Sequence, residues 1–197
     1  MRRDELEELH YLTPIANLPS ILTHGILSHR RAQSLPHESV ARPEIQSVRA
    51  GVVIPAGRAL HEYVNLYFHA GNPMLCVRHD QHADLCVVQI GTSVLDLPGV
   101  VIADQNAASG YVRWAAATDG LAIVDRDLVF ARTWKHPGDQ ILEWRHRLAK
   151  CAEVLVPDRV APALILGVHV SSPEGRDRVR GVVPRLPVTV SANLFFR

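Results

Sequence analysis

The alternation of apolar and polar residues predicts a chain built mainly from short strands. Residues 85–90 form the clearest case, because Leu-Cys-Val-Val-Gln-Ile is rich in residues that favour β-structure. Residues 163–170 form the longest apolar strand candidate. Further short strands are predicted at residues 10–12, 52–54, 63–68, 100–102, and 153–156.

Helical spacing occurs in fewer places. Four apolar residues between positions 15 and 22 share one face of a helix that is expected to begin at Thr13-Pro14 and to end at Gly25. Residues 107–117 and 140–150 are also predicted to be helical. Residues 29–43 are polar and are expected to form a long ordered loop, and the tail beyond residue 171 is expected to add an edge strand or to pack on the core. Many short strands with few helices indicate an α+β fold.

The composition is that of a single soluble domain spanning residues 1–197. Of these residues, 47% are hydrophobic and 21% are charged, which is enough apolar material for a full core. The net charge of +1 provides no overall attraction to nucleic acid, so a DNA substrate would have to meet a local patch. No apolar run approaches the ~20 residues of a membrane span, and the three cysteines form no paired motif, which favours a reducing cytoplasm.

Glu153 is an unusual carboxylate because it stands in the apolar run of residues 152–156. Burying a carboxylate in a strand is costly unless it has a partner or a chemical task. The local pattern also allows an edge strand with Glu153 facing solvent. Arg49 is a candidate cationic partner, and its planar guanidinium suits phosphate groups. The alternative for Arg49 is a solvated position in a loop.

The sequence gives less support to other kinds of nucleotide or metal site. It contains neither GxGxxG nor GxxxxGK[ST], so a Rossmann dinucleotide site and a P-loop are not expected. His79 and His82 lack the neighbours of a recognisable zinc signature, and no metal is expected. Tyr63 and Tyr67 lie on one face of a predicted strand, where they either stack on a nicotinamide or a base or pack in the core.

Five sequence blocks, in order, resemble the DarT-type ADP-ribosyltransferases, which use NAD+ to modify bases in DNA. Order and spacing agree over about residues 8–170. In one departure, Tyr11 stands where the family commonly has histidine, and His10, one position earlier, falls on the opposite face of the strand. The blocks are Tyr11-Leu12-Thr13 with Asn17-Leu18, Ile21-Leu22 and Gly25-Ile26; Ile45 to Arg49; His61 to Phe68 with Pro73-Met74-Leu75; Asp104 to Ala108; and Ala152 to Val156.

The resemblance implies the ADP-ribosyltransferase split β-sheet, with peripheral helices and NAD+ bound in the cleft between the two halves. Glu153 would be the catalytic carboxylate that binds the ribose 2′-hydroxyl and orients or deprotonates the incoming base. Arg49 would hold the phosphates or polarise the target base. The residues implied to bind NAD+ are Tyr11, Thr13, Asn17, Arg49, Tyr63 and Tyr67.

The resemblance also implies single-stranded DNA as the acceptor and a toxin role, with an antitoxin partner that is often a macrodomain hydrolase. Residues 136–150 are expected to be the substrate-reading loop, in which Trp144, Arg145 and Arg147 contact DNA by stacking and phosphate binding. The alternatives are the same fold acting on RNA or protein, an RNA 2′-phosphotransferase-like reaction, and a non-catalytic nucleic-acid-binding module. The target base is left open.

Overall fold

The computed structural model describes residues 1–55 and 57–197, which form a mixed sheet with helices around it. The main sheet has eight strands in the order β10-β9-β4-β1-β3-β7-β5-β6, and β2 and β8 form a separate ribbon. The strands are β1 (Glu8–Pro14), β2 (Ile26–Leu27), β3 (Tyr63–Tyr67), β4 (Leu85–Gly91), β5 (Val101–Ala103), β6 (Trp114–Ala116), β7 (Glu153–Pro157), β8 (Arg159–Val160), β9 (Ile165–Val170) and β10 (Val188–Val190).

The helices are short and lie at the periphery of the sheet. They are α1 (Leu18–His24), α2 (His29–Ala32), α3 (Pro43–Ala50), α4 (Pro73–Cys76), α5 (Ala117–Gly120), α6 (Arg126–Phe130), α7 (Gln140–Ala149) and α8 (Pro173–Val182). Leu18 of α1 and Val179 of α8 pack in the main apolar core with Val88 and Val168 of the sheet. Among the helices of residues 1–55 and 57–197, none combines the length and apolar character that a bilayer crossing requires.

The centre of the sheet is split between β1 and β3. These two strands pair at a single position, where His10 faces Tyr67. Beyond that point β1 stays paired with β4 along its whole length, whereas β3 stays paired with β7. The two halves of the sheet therefore diverge, and the expected split sheet is observed.

The predicted helix over residues 107–117 is wrong. Residues 114–116 form β6, which pairs with β5 along the edge of the sheet. The residues before it make turns around Asn106, whose side chain accepts from the Ala108 N–H at 2.8 Å. The alanines favoured a helix in isolation, but pairing with β5 outweighs that propensity.

The tail contains both an expected and an unexpected element. The predicted edge strand is β10, which runs parallel to β9 at the end of the sheet. The helix α8 was not predicted, because its composition includes Gly175, Gly181 and several arginines. It forms because Ser172 caps its first turn and Val179 anchors it in the core.

Three smaller expectations also differ from the structure. The loop predicted over residues 29–43 contains α2 and leads directly into α3. The strand predicted at residues 52–54 is reduced to one bridge between Val53 and Ala59. The edge position considered for Glu153 is wrong, because β7 lies between β3 and β5 and is covered on both sides.

Candidate active site

A cleft of about 620 Å³ opens where β1 and β3 diverge. Its volume lies within the usual range for small-molecule and cofactor sites. Side chains from both diverging strands, from the α1 entry and from α3 form its walls. All six residues predicted to bind NAD+ line it, namely Tyr11, Thr13, Asn17, Arg49, Tyr63 and Tyr67.

Arg49 and Glu153 form a two-pronged ion pair at the wall of this cleft. Nη1 of Arg49 lies 3.0 Å from Oε1 of Glu153, and Nη2 lies 2.9 Å from Oε2. The predicted approach of these residues, which are 104 positions apart in the chain, is therefore confirmed. Glu153 has no exposed side-chain surface, whereas Arg49 is 9% exposed and lines the cleft. The guanidinium thus separates the carboxylate from the open space.

Strand pairing places Glu153 at the middle of the sheet. It faces Tyr67 on β3 and Ala103 on β5 in the antiparallel ladder, so these side chains share one face. The backbone N–H of Ala107 donates a third hydrogen bond, 3.0 Å long, to Oε1 of the carboxylate. Arg49 reaches this point from the last turn of α3. Three segments distant in sequence therefore fix one carboxylate.

Burial and the ion pair together shift the pKa values of the groups around them. Burial alone would lower the pKa of Arg49, but the charge and hydrogen bonds of Glu153 outweigh burial and raise that pKa. Burial, reinforced by the negative charge of Glu153, raises the pKa of Tyr67 well above its usual range, so this phenol stays neutral. The same two causes, in the same order, raise the pKa of Cys151 to about 12, so its thiol is protonated and unreactive at neutral pH.

The entry to the cleft is held by a hydrogen-bond clamp around Asn17. Its amide donates to Oγ1 of Thr13 at 3.1 Å and to the carbonyl of Glu38 at 2.8 Å. In return, the Glu38 N–H donates to Oδ1 of Asn17 at 3.0 Å. Asn17 thereby fastens the polar segment after α2 to the end of β1. Tyr11, which stands where the family commonly has histidine, lines the cleft, whereas the neighbouring His10 imidazole lies with Glu8 and His169.

Two buried polar atoms at the cleft wall have no hydrogen-bond partner within the part of the chain that the structure describes. They are Oε1 of Gln46 and Nε2 of His61. Buried polar groups are normally paired, and leaving one unpaired is costly, so these atoms indicate a wall shaped for a polar ligand. Neither residue was identified as a site residue from sequence, although both lie in blocks that carry the family resemblance.

A pair of imidazoles stands beside Arg49. The rings of His29 and His61 are 4.2 Å apart, and both line the cleft. Burial first, and nearby positive charge second, lower the pKa of each ring, so both are neutral at physiological pH. Sequence reasoning missed both, although His29 begins the polar segment whose length suggested a functional role.

The predicted substrate-reading segment is mostly a helix, since α7 spans residues 140–149 of the expected loop. Within it, Arg147 lines the cleft, whereas Trp144 and Arg145 are exposed on the helix and lie outside the lining of this cleft. Trp144 meets Tyr111 edge to face at 6.3 Å. Trp134, which precedes this segment, is buried yet lines the cleft.

Comparison with known proteins agrees with this geometry. The family model described as "ssDNA thymidine ADP-ribosyltransferase, DarT" matches residues 10–196, which extends past the boundary at residue 170 expected from sequence. A DNA ADP-ribosyl transferase–DNA ADP-ribosyl glycohydrolase fusion protein of Thermosipho africanus is 30% identical over 196 residues, covering 96% of this chain and 49% of the relative. The chain therefore spans about half the length of that relative.

Two solved structures share the fold. Thermosipho africanus DarTG in complex with ADP-ribose matches with a TM-score of 0.84 and 28% identity over 97% of this chain and 51% of the other. Thermus sp. 2.9 DarT in complex with ADP-ribosylated ssDNA matches with a TM-score of 0.84 and 25% identity over 97% of both chains. With the split sheet, the cleft and the Arg49–Glu153 pair in place, the chain belongs to the DarT family of ssDNA thymidine ADP-ribosyltransferases.

Proposed function

We propose that this protein transfers ADP-ribose from NAD+ to thymidine in single-stranded DNA. The observation that carries the proposal is the buried Arg49–Glu153 pair at the wall of a cleft large enough for a nucleotide. Membership of the DarT family supplies the expected reaction and the target base. The active unit is taken to be a single domain over residues 1–197.

The residues of the cleft suit NAD+ as the first substrate. The orphaned Gln46 Oε1 is an acceptor for a hydroxyl or amide of a ligand, and His61 Nε2 offers a second polar contact. Tyr63 and Tyr67 provide aromatic surface at the same wall. Tyr11, Thr13 and Asn17 complete the proposed NAD+ site at the end of β1.

Glu153 is proposed to act on the ribose. Loss of nicotinamide leaves positive charge on the ribose carbon, and a fixed carboxylate beside it stabilises that charge without reorganising. Because Glu153 is fully buried behind Arg49, the guanidinium must give up one of its two contacts for the carboxylate to reach the ribose 2′-hydroxyl. The 3.0 Å hydrogen bond from Ala107 N–H keeps the carboxylate oriented while that contact opens.

Arg49 is proposed to have two consecutive tasks. In the resting enzyme it holds the Glu153 carboxylate through two hydrogen bonds, and its own charge is permanent because a guanidinium does not lose its proton at physiological pH. Once one guanidinium nitrogen no longer donates to Glu153, the same planar group can hold a phosphate oxygen or polarise the incoming base. After the bond from the ribose carbon to nicotinamide breaks and nicotinamide leaves, the base forms a new bond to that carbon and passes its proton to Glu153.

The DNA path is proposed to run along α7. Arg147 lines the cleft and offers a phosphate contact close to the reaction centre. Trp144, beside the exposed Tyr111, offers a surface for stacking farther out, and Arg145 on the same helix offers an outer charge. A net charge of +1 favours such local contacts over broad duplex binding. Flipping a paired base out of a duplex would also cost a few kcal/mol.

The acceptor is tested with labelled NAD+ and matched oligonucleotides. A single strand containing thymidine should be labelled, and the same strand with every thymidine replaced by deoxycytidine should not. The duplex form should be labelled at least about tenfold more slowly, because each base must first be extruded. Preferential labelling of the RNA version, of a protein or of the thymidine-free strand would reject the acceptor while leaving NAD+ use intact.

A hydrolase that removes the modification is the proposed partner, acting as antitoxin to this chain as toxin in the cytoplasm. A relative is named as a fusion of a DNA ADP-ribosyl transferase with a DNA ADP-ribosyl glycohydrolase. The cysteines at positions 76, 86 and 151 are free, as expected of a reducing compartment. Induced expression should arrest bacterial growth, and co-expression of a glycohydrolase should restore it. Arrest that persists with the glycohydrolase would argue against this partner.

A further inference from the structure

A second cluster of ionisable groups lies on the sheet away from the cleft lining. Oε1 of Glu8 is 3.0 Å from Nε2 of His10 and 3.0 Å from Nε2 of His169. The three facing atoms all lie within 4.8 Å of one another. The imidazoles are 10% and 12% exposed and the carboxylate is 22% exposed, so the cluster is shielded but can be reached from solvent.

The strand ladder explains why these residues converge. His10 on β1 faces Gln89 on β4, and Gln89 faces Gly167 on β9. In the next row on the same face, Val87 of β4 faces His169. Gly167 leaves room for the glutamine, since a Cβ at that position would lie 2.9 Å from Oε1 of Gln89. The side chain of His169 therefore extends diagonally past Gln89 and contacts Glu8 on β1.

Outer hydrogen bonds orient two members of the cluster. The amide of Gln89 donates to Oε2 of Glu8 at 2.7 Å and turns Oε1 toward both histidines. Nδ1 of His169 lies 2.9 Å from Oγ of Ser191, which leaves Nε2 to face the carboxylate. Two of the three candidate ligands are thus held on their far sides by a second polar group, an arrangement that is typical of metal sites in proteins.

Among the residues that the structure describes, the hydrogen bonds of the cluster come from histidine, glutamine and serine side chains, and none comes from a lysine or an arginine. Nδ1 of His10 has no partner among the residues that the structure describes, so the ring is held through its Nε2 side alone.

We propose that Glu8, His10 and His169 bind one Zn²⁺ ion, with water in the fourth position. Two imidazole nitrogens and one carboxylate oxygen form a ligand set that zinc favours. Zinc–ligand distances of roughly 2.0–2.1 Å place the ligand atoms of a tetrahedron about 3.3 Å apart. The two 3.0 Å separations around Oε1 need only a small outward shift to reach that value.

Zinc at this position would tie together three parts of the fold. Glu8 and His10 belong to β1, which continues into Tyr11 and Thr13 of the cleft. His169 belongs to β9, and Ser191 follows β10 at the C-terminal end of the sheet. The ion would stabilise β1 against the edge of the sheet, and the proposed transfer reaction requires nothing from it.

The test uses tag-free protein, stripped with a chelator and kept reduced. Zinc titrated into this protein should bind at one equivalent per chain by calorimetry and by elemental analysis, and it should raise the melting temperature. Magnesium, which prefers oxygen ligands, should do neither. Glu8→Gln and His169→Gln should each lose the equivalent of zinc and the thermal shift. Ser191→Ala, which keeps all three ligands, should weaken binding about 10–100-fold.

His24→Gln and Cys76→Ser serve as matched controls, because each removes a potential zinc ligand that lies outside the cluster. Both should bind zinc as the wild type does. Wild-type protein that binds no zinc at one equivalent would overturn the proposal, as would an unchanged equivalent in Glu8→Gln and His169→Gln. Circular dichroism identifies a variant that has not folded, and in that case the wild-type stoichiometry and Ser191→Ala decide the result.

Discussion

Two glutamates on the same sheet, Glu153 and Glu8, are held in different ways. Glu153 is fully buried and is bound by Arg49, a cation that does not titrate, and by the N–H of Ala107. Glu8 is partly exposed and is bound by two imidazoles and by the amide of Gln89. Each imidazole can exchange a proton for a metal ion. The first arrangement fixes one carboxylate at the wall of the cleft. The second leaves an opening for a cation.

The largest expected effect on stability comes from breaking the Arg49–Glu153 pair. Removing one partner leaves the other buried and uncompensated, which costs about 3–5 kcal/mol. Arg49→Met and Glu153→Leu should each destabilise by this amount, while the double variant should lose much less than the sum. Urea unfolding of the four proteins measures the coupling. Additive losses would mean that the pair is not a unit.

A smaller loss is expected at Glu8 in zinc-free protein. Glu8→Gln removes a charged acceptor shared by His10, His169 and Gln89, which costs about 1–3 kcal/mol. The partly exposed cluster can recruit water, so the cost stays below that at Glu153. Glu7→Gln, at an exposed position before β1, should change stability by less than about 0.5 kcal/mol. A loss at Glu8 equal to that at Glu153 would remove the distinction between the two sites.

Arg145 and Arg147 were both predicted to contact DNA, but they differ in their position relative to the cleft. Arg147 lines the cleft, so Arg147→Ala should lower DNA modification about tenfold, which corresponds to ~1.4 kcal/mol of lost contact. Arg145→Ala should change the rate by less than about twofold, because an exposed charge outside the lining contributes little. Initial rates with the thymidine strand give the comparison. A reversed order would mean that the DNA path crosses the other face of α7.

The smallest effect concerns Lys150, a buried cation with no anionic partner in its described surroundings. Burial lowers the pKa of Lys150 to about 8, from an ordinary value of 10.5. Between pH 8 and pH 10.5, Lys150 is protonated in the unfolded chain and largely deprotonated in the folded protein. The free energy of unfolding therefore rises with pH. The rise should be about 1 kcal/mol from pH 8 to pH 9.

The measurement is the difference between wild type and Lys150→Met, which cancels the titration of other groups. The difference in the free energy of unfolding between these two proteins should change by about 1 kcal/mol from pH 8 to pH 9. Lys135→Met, in which an exposed lysine is lost, should show no such dependence. A flat difference for Lys150→Met would mean that the ammonium is solvated in the folded protein.

The strands that carry the site are predictable from local sequence. Residues 63–68 and 153–156 have the aromatic and apolar composition of buried strands, and strands are observed at Tyr63–Tyr67 and Glu153–Pro157. The pairing of Tyr67 with Glu153 is not predictable in this way, since it depends on strand order between distant segments. The resemblance to a family supplied that missing relation for Arg49 and Glu153.

Other parts of the site have no local signal. The contribution of Ala107 is a backbone N–H, which is the same for every residue except proline, so no side chain marks it. Glu8, His10 and His169 converge from both ends of the chain through the register of three strands. His79 and His82 were considered from sequence because they lie three positions apart, whereas His10 and His169 are distant in the chain and no local spacing connects them.

Glu153 is the group proposed to act on NAD+ during transfer to DNA. The most direct measurement is the initial rate of labelling of a thymidine-containing single strand by Glu153→Gln, with Glu174→Gln as control. Both variants are assayed at a temperature where circular dichroism shows them folded. We expect Glu153→Gln to lose at least about 100-fold in rate and the control to match the wild type. A folded Glu153→Gln variant that labels the strand at a near-wild-type rate would contradict the account.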